Sequence, residues 1–283
     1  MTITLIKEEE RDSIIEYLLG WEKFCVTLLS DILHGGKSIY VVRGNFGEIH
    51  GVFSWWMGRS ILHCLPDVNG RNHIELEQAF SKFFLDHTVK YLFAIIGEQS
   101  GTDFIRKVIF NTFNREPAVQ IDYYLQENRR FDSRKKLDGM NHQLSFSVCT
   151  MEEAEKAFKI HAEYEKEEVL IPGQDFDEAY AREKFELFVE SGVVYLGKIK
   201  NTILTKASIS AMAKNYYMLG GVYTVPKYRN HGIAKAMVNY MTTKFEQENK
   251  TLVLYVKKDN EAALKLYRDT GFKTVCDWKI LYY

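Results

Sequence analysis

The alternation of apolar and polar residues in the second half of the chain predicts a mixed series of strands and helices. Apolar residues recur at helical spacing over four segments, 151–168, 175–191, 231–247 and 260–270. Alternating or continuously apolar runs predict strands over 144–149, 193–199, 203–213, 216–225, 251–256, 272–275 and 278–283. The predicted order of elements is therefore β-α-α-β-β-β-α-β-α-β-β.

The first half of the chain has a similar order of elements, although it does not repeat the residues themselves. We predict helices over 7–19, 22–34, 73–86 and 101–110, and strands over 38–42, 49–54, 60–65, 91–96 and 118–125. A charged segment with little hydrophobic periodicity, 127–142, separates the two patterns. The sequence therefore predicts one domain at 1–126, a connection at 127–142 and a second domain at 143–283.

The composition of the 283 residues is typical of a globular protein, with 46% hydrophobic and 27% charged residues. A net charge of −1 argues against nucleic acid as a partner. No apolar run approaches the roughly 20 residues of a membrane span, and no secretion signal is recognisable, so we expect a cytoplasmic protein without a membrane partner. No metal site is predicted, because no Cys-x-x-Cys pair occurs among Cys25, Cys64, Cys149 and Cys276.

A strand, a short basic turn and a helix follow one another between Val222 and Ala234. The first turn of a helix offers backbone N–H groups without intrahelical partners, and the helix dipole favours an anion there. Gly232 removes a Cβ where the phosphates of a ligand would approach the backbone, and Arg229 adds positive charge. By itself, a glycine near the start of a helix is more often only a turn or a cap.

A second segment downstream changes this interpretation. A predicted buried strand, 252–255, is followed by Asn260, Ala263, Leu266-Tyr267 and Gly271-Phe272. Together with Arg229-x-x-Gly232-x-Ala234, this segment resembles the coenzyme A motifs of the GCN5-related N-acetyltransferase (GNAT) family, over residues 143–283. The resemblance implies an α/β (α+β) fold with a mixed, mostly antiparallel central sheet flanked by helices, and acetyl-CoA (coenzyme A) as cofactor. The first half would then be a degenerate copy in a tandem arrangement of two similar domains.

The resemblance also implies roles for individual residues. Backbone groups at the end of a strand would pair with the pantetheine arm, namely those of Val222, Tyr223, Thr224 and Val225. Backbone N–H groups would hold the pyrophosphate along Arg229, Asn230, His231, Gly232, Ile233 and Ala234. Asn260 would bind the cofactor or cap its helix. Tyr267 would donate a proton to the departing thiolate as general acid, with core packing as the alternative interpretation.

A base for the acceptor amine is not evident on the strand predicted at 216–225, which contains no Asp or Glu and so departs from family members with a glutamate there. Glu168 and Glu165, near the end of the helix predicted at 151–168, are candidates, although acidic residues at such a place more often form only a solvated helix end. His161 and His231 are further candidates. We take Glu168 as the candidate base.

The first half lacks the corresponding phosphate motif. The stretch between the strand at 60–65 and the helix at 73–86 contains Gly70-Arg71 but no Gly-x-Gly/Ala pattern. Glu75 and Glu77 in the following helix would repel a pyrophosphate. We therefore expect this half to shape the acceptor pocket or support the other half without binding coenzyme A. An unrelated α/β domain is the alternative.

These features predict an acetyl-CoA dependent N-acetyltransferase that moves an acetyl group to a primary amine by direct attack in a ternary complex. The acceptor stays open between a small-molecule amine, an amino-acid derivative and a peptide. Two alternatives remain at this stage. One is a non-catalytic acyl-CoA binding or regulatory protein on the same fold, and the other is an aminoacyl transferase of the tandem type.

Overall fold

The computed structural model describes residues 1–56, 59–87, 91–128, 143–171 and 173–283. Within these residues, twelve strands form one continuous sheet with helices packed on both faces. The strands are β1 Thr2–Leu5, β2 Ile39–Arg43, β3 Ile49–Trp56, β4 Ser60–Cys64, β5 Ala94–Glu98, β6 Val119–Asn128, β7 Leu144–Val148, β8 Val194–Ile199, β9 Thr202–Met212, β10 Tyr216–Thr224, β11 Thr251–Lys257 and β12 Phe272–Tyr282. The helices are α1 Arg11–Leu19, α2 Val26–Leu33, α3 His73–Asp86, α4 Gln99–Phe113, α5 Met151–Tyr164, α6 Glu178–Glu190, α7 Ile233–Gln247 and α8 Glu261–Asp269.

The repeat of architecture predicted from the sequence is confirmed. In the described residues, each half contributes six strands and four α-helices in the order β-α-α-β-β-β-α-β-α-β. The sequence did not predict β1, because four residues at the edge of a sheet carry too little periodicity. β12 is one strand where two were predicted, because a bulge between Thr274 and Cys276 shifts the register without ending the ladder.

The helix predicted at 151–168 ends earlier as an α-helix. α5 runs to Tyr164 and continues into a π-helical turn, Glu165–Val169. Such a turn widens the backbone locally and is frequent at functional sites. Here it directs several acidic side chains toward β10 and β11, as described below.

The final strands of the two halves are exchanged. β6 from the first half lies between β11 and β12, and β12 from the second half lies between β5 and β6. The two exchanged strands pair antiparallel with each other along their length, from Val119 opposite Tyr282 to Asn128 opposite Phe272. Because both halves supply the centre of the sheet, neither half contains a complete sheet by itself.

The predicted domain bounds can be placed on this topology only in part. Glu127 and Asn128, the first two residues of the predicted connection, belong to β6. The rest of the connection, 129–142, lies outside the described residues. The bounds at 126 and 143 stay a prediction.

α7 packs across one face of the second half of the sheet. Its residues Met237, Met241 and Phe245 share a buried cluster with Leu219 of β10 and Leu254 of β11. The opposite face of β8 and β9 is covered by α5 and α6, which form a separate cluster. The end of α5 and the start of α7 therefore approach β10 from opposite faces of the sheet.

The first half also covers part of the second. Val26 and Leu29 of α2 share a buried cluster with Ala211, Met218 and Val253, which lie on β9, β10 and β11. Burial of these apolar side chains stabilises the contact at roughly 25 cal/mol per Å² of apolar area. The helices α1 and α2 thus act as a cover for the sheet of the other half.

A buried carboxylate fixes this cover at one point. Glu22 is 3% exposed and lies just before α2. It accepts hydrogen bonds from the backbone N–H groups of Asn215 and Tyr216 and, at 2.7 Å, from the side-chain amide of Asn215. Three donors directed at one carboxylate satisfy the charge that burial would otherwise penalise.

Candidate functional site

β10 and β11 begin as neighbours and then separate. They pair in parallel only between Tyr216–Met218 and Thr251–Val253. Beyond Met218, β10 follows β9 instead and carries two irregularities, the second between Gly220 and Tyr223. Gly221, with φ of +58°, and Val222 have no register partner on β9. The second half of β10 therefore presents a backbone edge toward the gap between the two strands.

The loop after β10 turns the chain into α7. A 3₁₀ turn, Pro226–Tyr228, is followed by Asn230 with φ of +64° and Gly232 with φ of +74°. Gly232 is the N-cap of α7, and no side chain caps the helix. The first-turn N–H groups of α7 therefore have no side-chain acceptor. Uncapped N–H groups at the start of a helix are the groups that bind a phosphate.

The backbone conformation at Gly232 explains why a glycine occupies this position. A Cβ at this position would have no heavy atom of the protein within 4 Å. The left-handed φ, rather than crowding by the protein, is what favours glycine in this structure. The absence of a Cβ leaves the backbone accessible to a ligand, so the residues from Arg229 to Ala234 fit a pyrophosphate group.

The side chain of Arg229 is held within the protein. Its Nε donates to the carbonyl of Thr224 at 3.0 Å, and its two terminal nitrogens each donate to a different carboxylate oxygen of Glu167 at 2.8 Å. The hydroxyl of Tyr223 donates to the same carboxylate at 2.7 Å. Burial, followed by this hydrogen bond, raises the pKa of Tyr223 to about 12. Glu167 thus joins the π-helical turn after α5 to the phosphate loop.

Sequence reasoning missed Glu167. It lies in the acidic stretch 163–168 that drew attention to Glu165 and Glu168, but its partner Arg229 is 62 residues away. Because Glu167 neutralises Arg229, attraction of a pyrophosphate here comes from backbone N–H groups more than from the guanidinium. The predicted contribution of the Arg229 charge is therefore reduced, and the predicted backbone contacts stay a prediction.

Several backbone groups of β10 already have partners inside the protein. The carbonyl of Tyr223 accepts from the hydroxyl of Thr205 at 2.9 Å, and the N–H of Val225 donates to the carbonyl of Leu204 at 2.9 Å. The carbonyl of Thr224 is bound by Arg229. Tyr223, Thr224 and Val225 each use a backbone group in these bonds. Of the four predicted pantetheine contacts, Val222 in the bulge is therefore the best placed to bind a ligand.

Asn260 is placed as a helix cap. Its Oδ1 accepts from the backbone N–H of Ala263 at 3.0 Å at the start of α8. The capping alternative raised from the sequence is therefore realised in the structure, and a contact with the cofactor remains a proposal. Similarly, Nδ1 of His231 lies 2.7 Å from the carbonyl of Arg229, which stabilises the loop.

Tyr267 lies on the side of α8 that faces the core. It is 9% exposed, and its ring centroid is 5.5 Å from that of Phe272. Burial, together with the charge of Glu168, raises the pKa of Tyr267 far above its usual range. The phenol is protonated at neutral pH, as tyrosine is at its ordinary pKa of about 10, and the raised pKa makes it a weaker acid.

Glu168 lies between the π-helical turn and β11. Its carboxylate is 3.7 Å from Nζ of Lys257, and the same Nζ donates to the Glu168 carbonyl at 2.7 Å. The charge of Glu168 also contributes to raising the pKa of Tyr123 and Tyr164, after burial of each ring. Glu168 is thus surrounded by phenols, and one of them, Tyr123, comes from the exchanged strand β6.

Two more of the predicted bases, His161 and Glu165, lie close together at the end of α5. His161 stacks on Phe185 with ring centroids 4.5 Å apart, and burial lowers its pKa to about 3. Burial also raises the pKa of Glu165, against the opposing charges of Lys184 and Lys206. The structure brings His161 and Glu165 within 3.6 Å of each other on the side of the sheet covered by α5.

The corresponding place in the first half is filled. β4 and β5 also pair in parallel over three residues only, Ser60–Leu62 with Ala94–Ile96. His63, 3% exposed, follows directly and occupies the gap, since a Cβ on Gly97 or Gly101 would lie 2.0 or 2.5 Å from its ring. Its Nε2 lies 2.9 Å from the hydroxyl of Thr102. The His63 side chain thus fills the gap between β4 and β5. The corresponding gap in the second half lies between β10 and β11.

A comparison with sequence models of known families finds that residues 154–272 match the acetyltransferase (GNAT) family. The family match applies to this segment, which lies in the second half of the chain. No curated protein sequence matches the chain.

Three solved structures share the fold over nearly the whole chain. An acetyltransferase of the GNAT family from Colwellia psychrerythraea is 13% identical, with a TM-score of 0.58, and the match covers 100% of this chain and 99% of that one. A GCN5-related N-acetyltransferase from Sphaerobacter thermophilus is 11% identical, with a TM-score of 0.60 and coverage of 99% and 94%. A tandem GNAT protein from the clavulanic acid biosynthesis pathway is 12% identical, with a TM-score of 0.61 and coverage of 99% and 97%. The predicted fold of two GNAT-like domains is confirmed, and family and fold together support acyl-CoA-dependent acyl transfer.

None of the helices in the described ranges is long and apolar enough to cross a bilayer. In the same ranges, no three His, Cys, Asp or Glu side chains come together as a group that could hold a metal ion.

Proposed function

We propose that the protein is an acetyl-CoA dependent N-acetyltransferase that acts on a primary amine of a small molecule or peptide by direct attack in a ternary complex. The observation that carries the proposal is the start of α7, where Gly232 in a left-handed conformation exposes uncapped N–H groups beside the separated end of β10. Acetyl-CoA supplies an acetyl group activated as a thioester. The remaining chemistry belongs to residues of the chain.

The cofactor would be held mainly by backbone groups. The loop and first turn of α7 bind the pyrophosphate through N–H groups of Asn230, His231, Gly232, Ile233 and Ala234. The N–H of Arg229, predicted as a further donor, is already bonded to the Pro226 carbonyl at 3.1 Å. The edge of β10 binds the pantetheine arm, with Val222 as the main contact among Val222, Tyr223, Thr224 and Val225. Asn260 contributes by fixing the start of α8, on which Tyr267 is carried.

Tyr267 acts in this proposal as the general acid. The phenol carries its proton at neutral pH, and the role is to donate that proton to the leaving sulfur. Glu168 was predicted as the base. Its charge disfavours a phenolate at Tyr267, and its ion pair with Lys257 holds it in place.

The first half is proposed to complete the acceptor side without binding coenzyme A. Its exchanged strand brings Tyr123 to the surroundings of Glu168, while His63 closes its own gap. Residues of both halves would then line the acceptor-binding surface. This arrangement favours an acceptor recognised by aromatic and acidic groups, such as an amine.

Thiol release tests this function. The full chain is incubated with acetyl-CoA and a panel of small amines, amino-acid derivatives and peptides, and binding of acetyl-CoA is measured separately by calorimetry. We expect binding in the absence of acceptor and thiol release with at least one amine. Binding without release across the panel would instead support an acyl-CoA binding protein. Transfer of the aminoacyl group from aminoacyl-tRNA to an amine, without thiol release, would support the aminoacyl transferase alternative.

A further inference from the structure

A lysine is buried beside the bulge of β10. Lys206 lies on β9 and is 2% exposed. Its Nζ donates to the carbonyl of Gly221 at 3.0 Å and lies 4.2 Å from the centroid of the Tyr164 ring. Within the described parts of the chain, no carboxylate forms an ion pair with this amine. A lysine held in this way has lost most of its hydration without gaining a counter-ion.

The amine lies on the face of the sheet on which α5 packs. The neighbouring residue Ala207 faces the cluster formed with α7, so Lys206 faces the opposite side, where α5 packs. A Cβ on Gly221 would lie 2.9 Å from Nζ of Lys206, 2.9 Å from the hydroxyl of Ser208 and 3.9 Å from the ring of Tyr164. The amine therefore lies directly over the bulge at which β10 leaves β11.

The ionisable groups around this amine determine its charge. They are His161 and Tyr164 of α5, Glu165 of the π-helical turn, Lys184 of α6 and Tyr223 opposite it on β10. Burial lowers the pKa of Lys206 to about 7, and the charge of Glu165 acts in the opposite direction. Burial therefore favours the uncharged form of the Lys206 amine.

We propose that Lys206 is the catalytic base of the reaction, and that its uncharged amine removes a proton from the acceptor nitrogen. The inference rests on the proposed function. In the balanced step, the acceptor amine forms a C–N bond to the acetyl carbon and the C–S bond breaks. One proton passes from the acceptor nitrogen to Nζ of Lys206, and the sulfur receives one from Tyr267. Exchange with solvent then returns both residues to their starting forms, which leaves an amide and a free thiol.

The competing interpretation is that Lys206 only holds the bulge through Gly221. The variants Lys206→Arg and Lys206→Met separate the two roles. Arginine keeps a donor for the Gly221 carbonyl but cannot lose its proton. A base role therefore predicts loss of kcat/KM by about 100-fold or more in both variants, since general base catalysis typically contributes 10²–10⁴-fold. A holding role predicts loss in the methionine variant only.

The experiment combines this comparison with a readout that does not depend on turnover. The full chain, labelled with ¹³C at the lysine Cε, is titrated by NMR without acetyl-CoA, and the Lys206 signal is assigned by its loss in Lys206→Arg. We expect a midpoint near 7, a rising limb of kcat/KM against pH at the same value, and acetyl-CoA affinity within about threefold of wild type. Ser210→Ala is the control, because its hydroxyl bonds the Met218 carbonyl further along the same face of β9.

Three results would overturn the proposal. A titration midpoint above 9 would show that Lys206 is charged at neutral pH. Wild-type turnover in Lys206→Arg would assign it a holding role. Absence of thiol release from the wild type with every amine would refute the proposed function itself, and it is distinguishable because it appears before any substitution is made.

Discussion

Replacing Gly232 by alanine distinguishes two reasons for a glycine in the phosphate loop. One is the left-handed backbone conformation, and the other is space for a bound ligand. The φ of +74° costs an L-residue about 1–2 kcal/mol. No protein atom lies within 4 Å of the new Cβ, so no clash inside the protein adds to this cost. For a chain of this size, we expect the melting temperature to fall by about 2–4 °C per kcal/mol.

The effect on acetyl-CoA binding is expected to be larger than the effect on folding. The added methyl group would lie in front of the first-turn N–H groups of α7, where the phosphates must approach the backbone. We expect the dissociation constant of acetyl-CoA to rise at least about tenfold, which corresponds to about 1.4 kcal/mol. Calorimetry measures the affinity, and thermal unfolding without ligand measures the stability.

Gly47→Ala is the matched control. Gly47 has φ of +88°, and a Cβ there would also have no neighbour within 4 Å. It lies in the turn between β2 and β3 of the first half. We expect a similar loss of stability and no change in affinity. Equal acetyl-CoA affinities for Gly232→Ala, Gly47→Ala and wild type would refute the assignment of the phosphate loop.

Further substitutions test other parts of the structure. Tyr267→Phe should reduce thiol release by tenfold or more with little change in acetyl-CoA affinity, and equal turnover would exclude the general-acid role. Glu22→Ala leaves three donors without their carboxylate and should lower the free energy of unfolding in urea by about 3 kcal/mol. As a control, substitution of an exposed residue, Glu16→Ala, should change the free energy of unfolding by less than about 0.5 kcal/mol. Similar losses in the two variants would contradict the anchoring role of Glu22. Burial lowers the pKa of His63 to about 3, so below its unfolded value near 6.5 only the unfolded chain takes up the proton. Stability from this residue should fall by about 1.4 kcal/mol per pH unit between pH 6.5 and 3, and His63→Gln should flatten the curve in urea unfolding. A fragment of residues 143–283 lacks β6, which pairs with both β11 and β12, so it should not fold by itself, and a cooperative thermal transition of the fragment would contradict the exchange of strands.

The sequence by itself determined the features that depend on neighbouring residues. The helical period of α7, the glycine at its start and the segment from Asn260 to Phe272 are local patterns, and the structure realises the elements they predict. The repeat of strands and helices in both halves followed from the same periodicity. These features identified the fold and predicted the region that is proposed as the cofactor site.

Only the tertiary structure decided which strands are neighbours. Alternation of apolar residues shows that β6 and β12 are strands and which faces they bury, but it does not specify the strand beside each of them. The exchange of these strands therefore had no signal in the sequence, although it places Tyr123 near Glu168.

The chemistry of the site was divided in the same way. Contacts such as Glu167 with Arg229 join residues that are distant in the chain, and local spacing cannot pair them. Lys206 appears in the sequence as one charged residue in an apolar strand. Its burial over the Gly221 bulge, and hence its lowered pKa, arises because α5, β9 and β10 meet around it and exclude water.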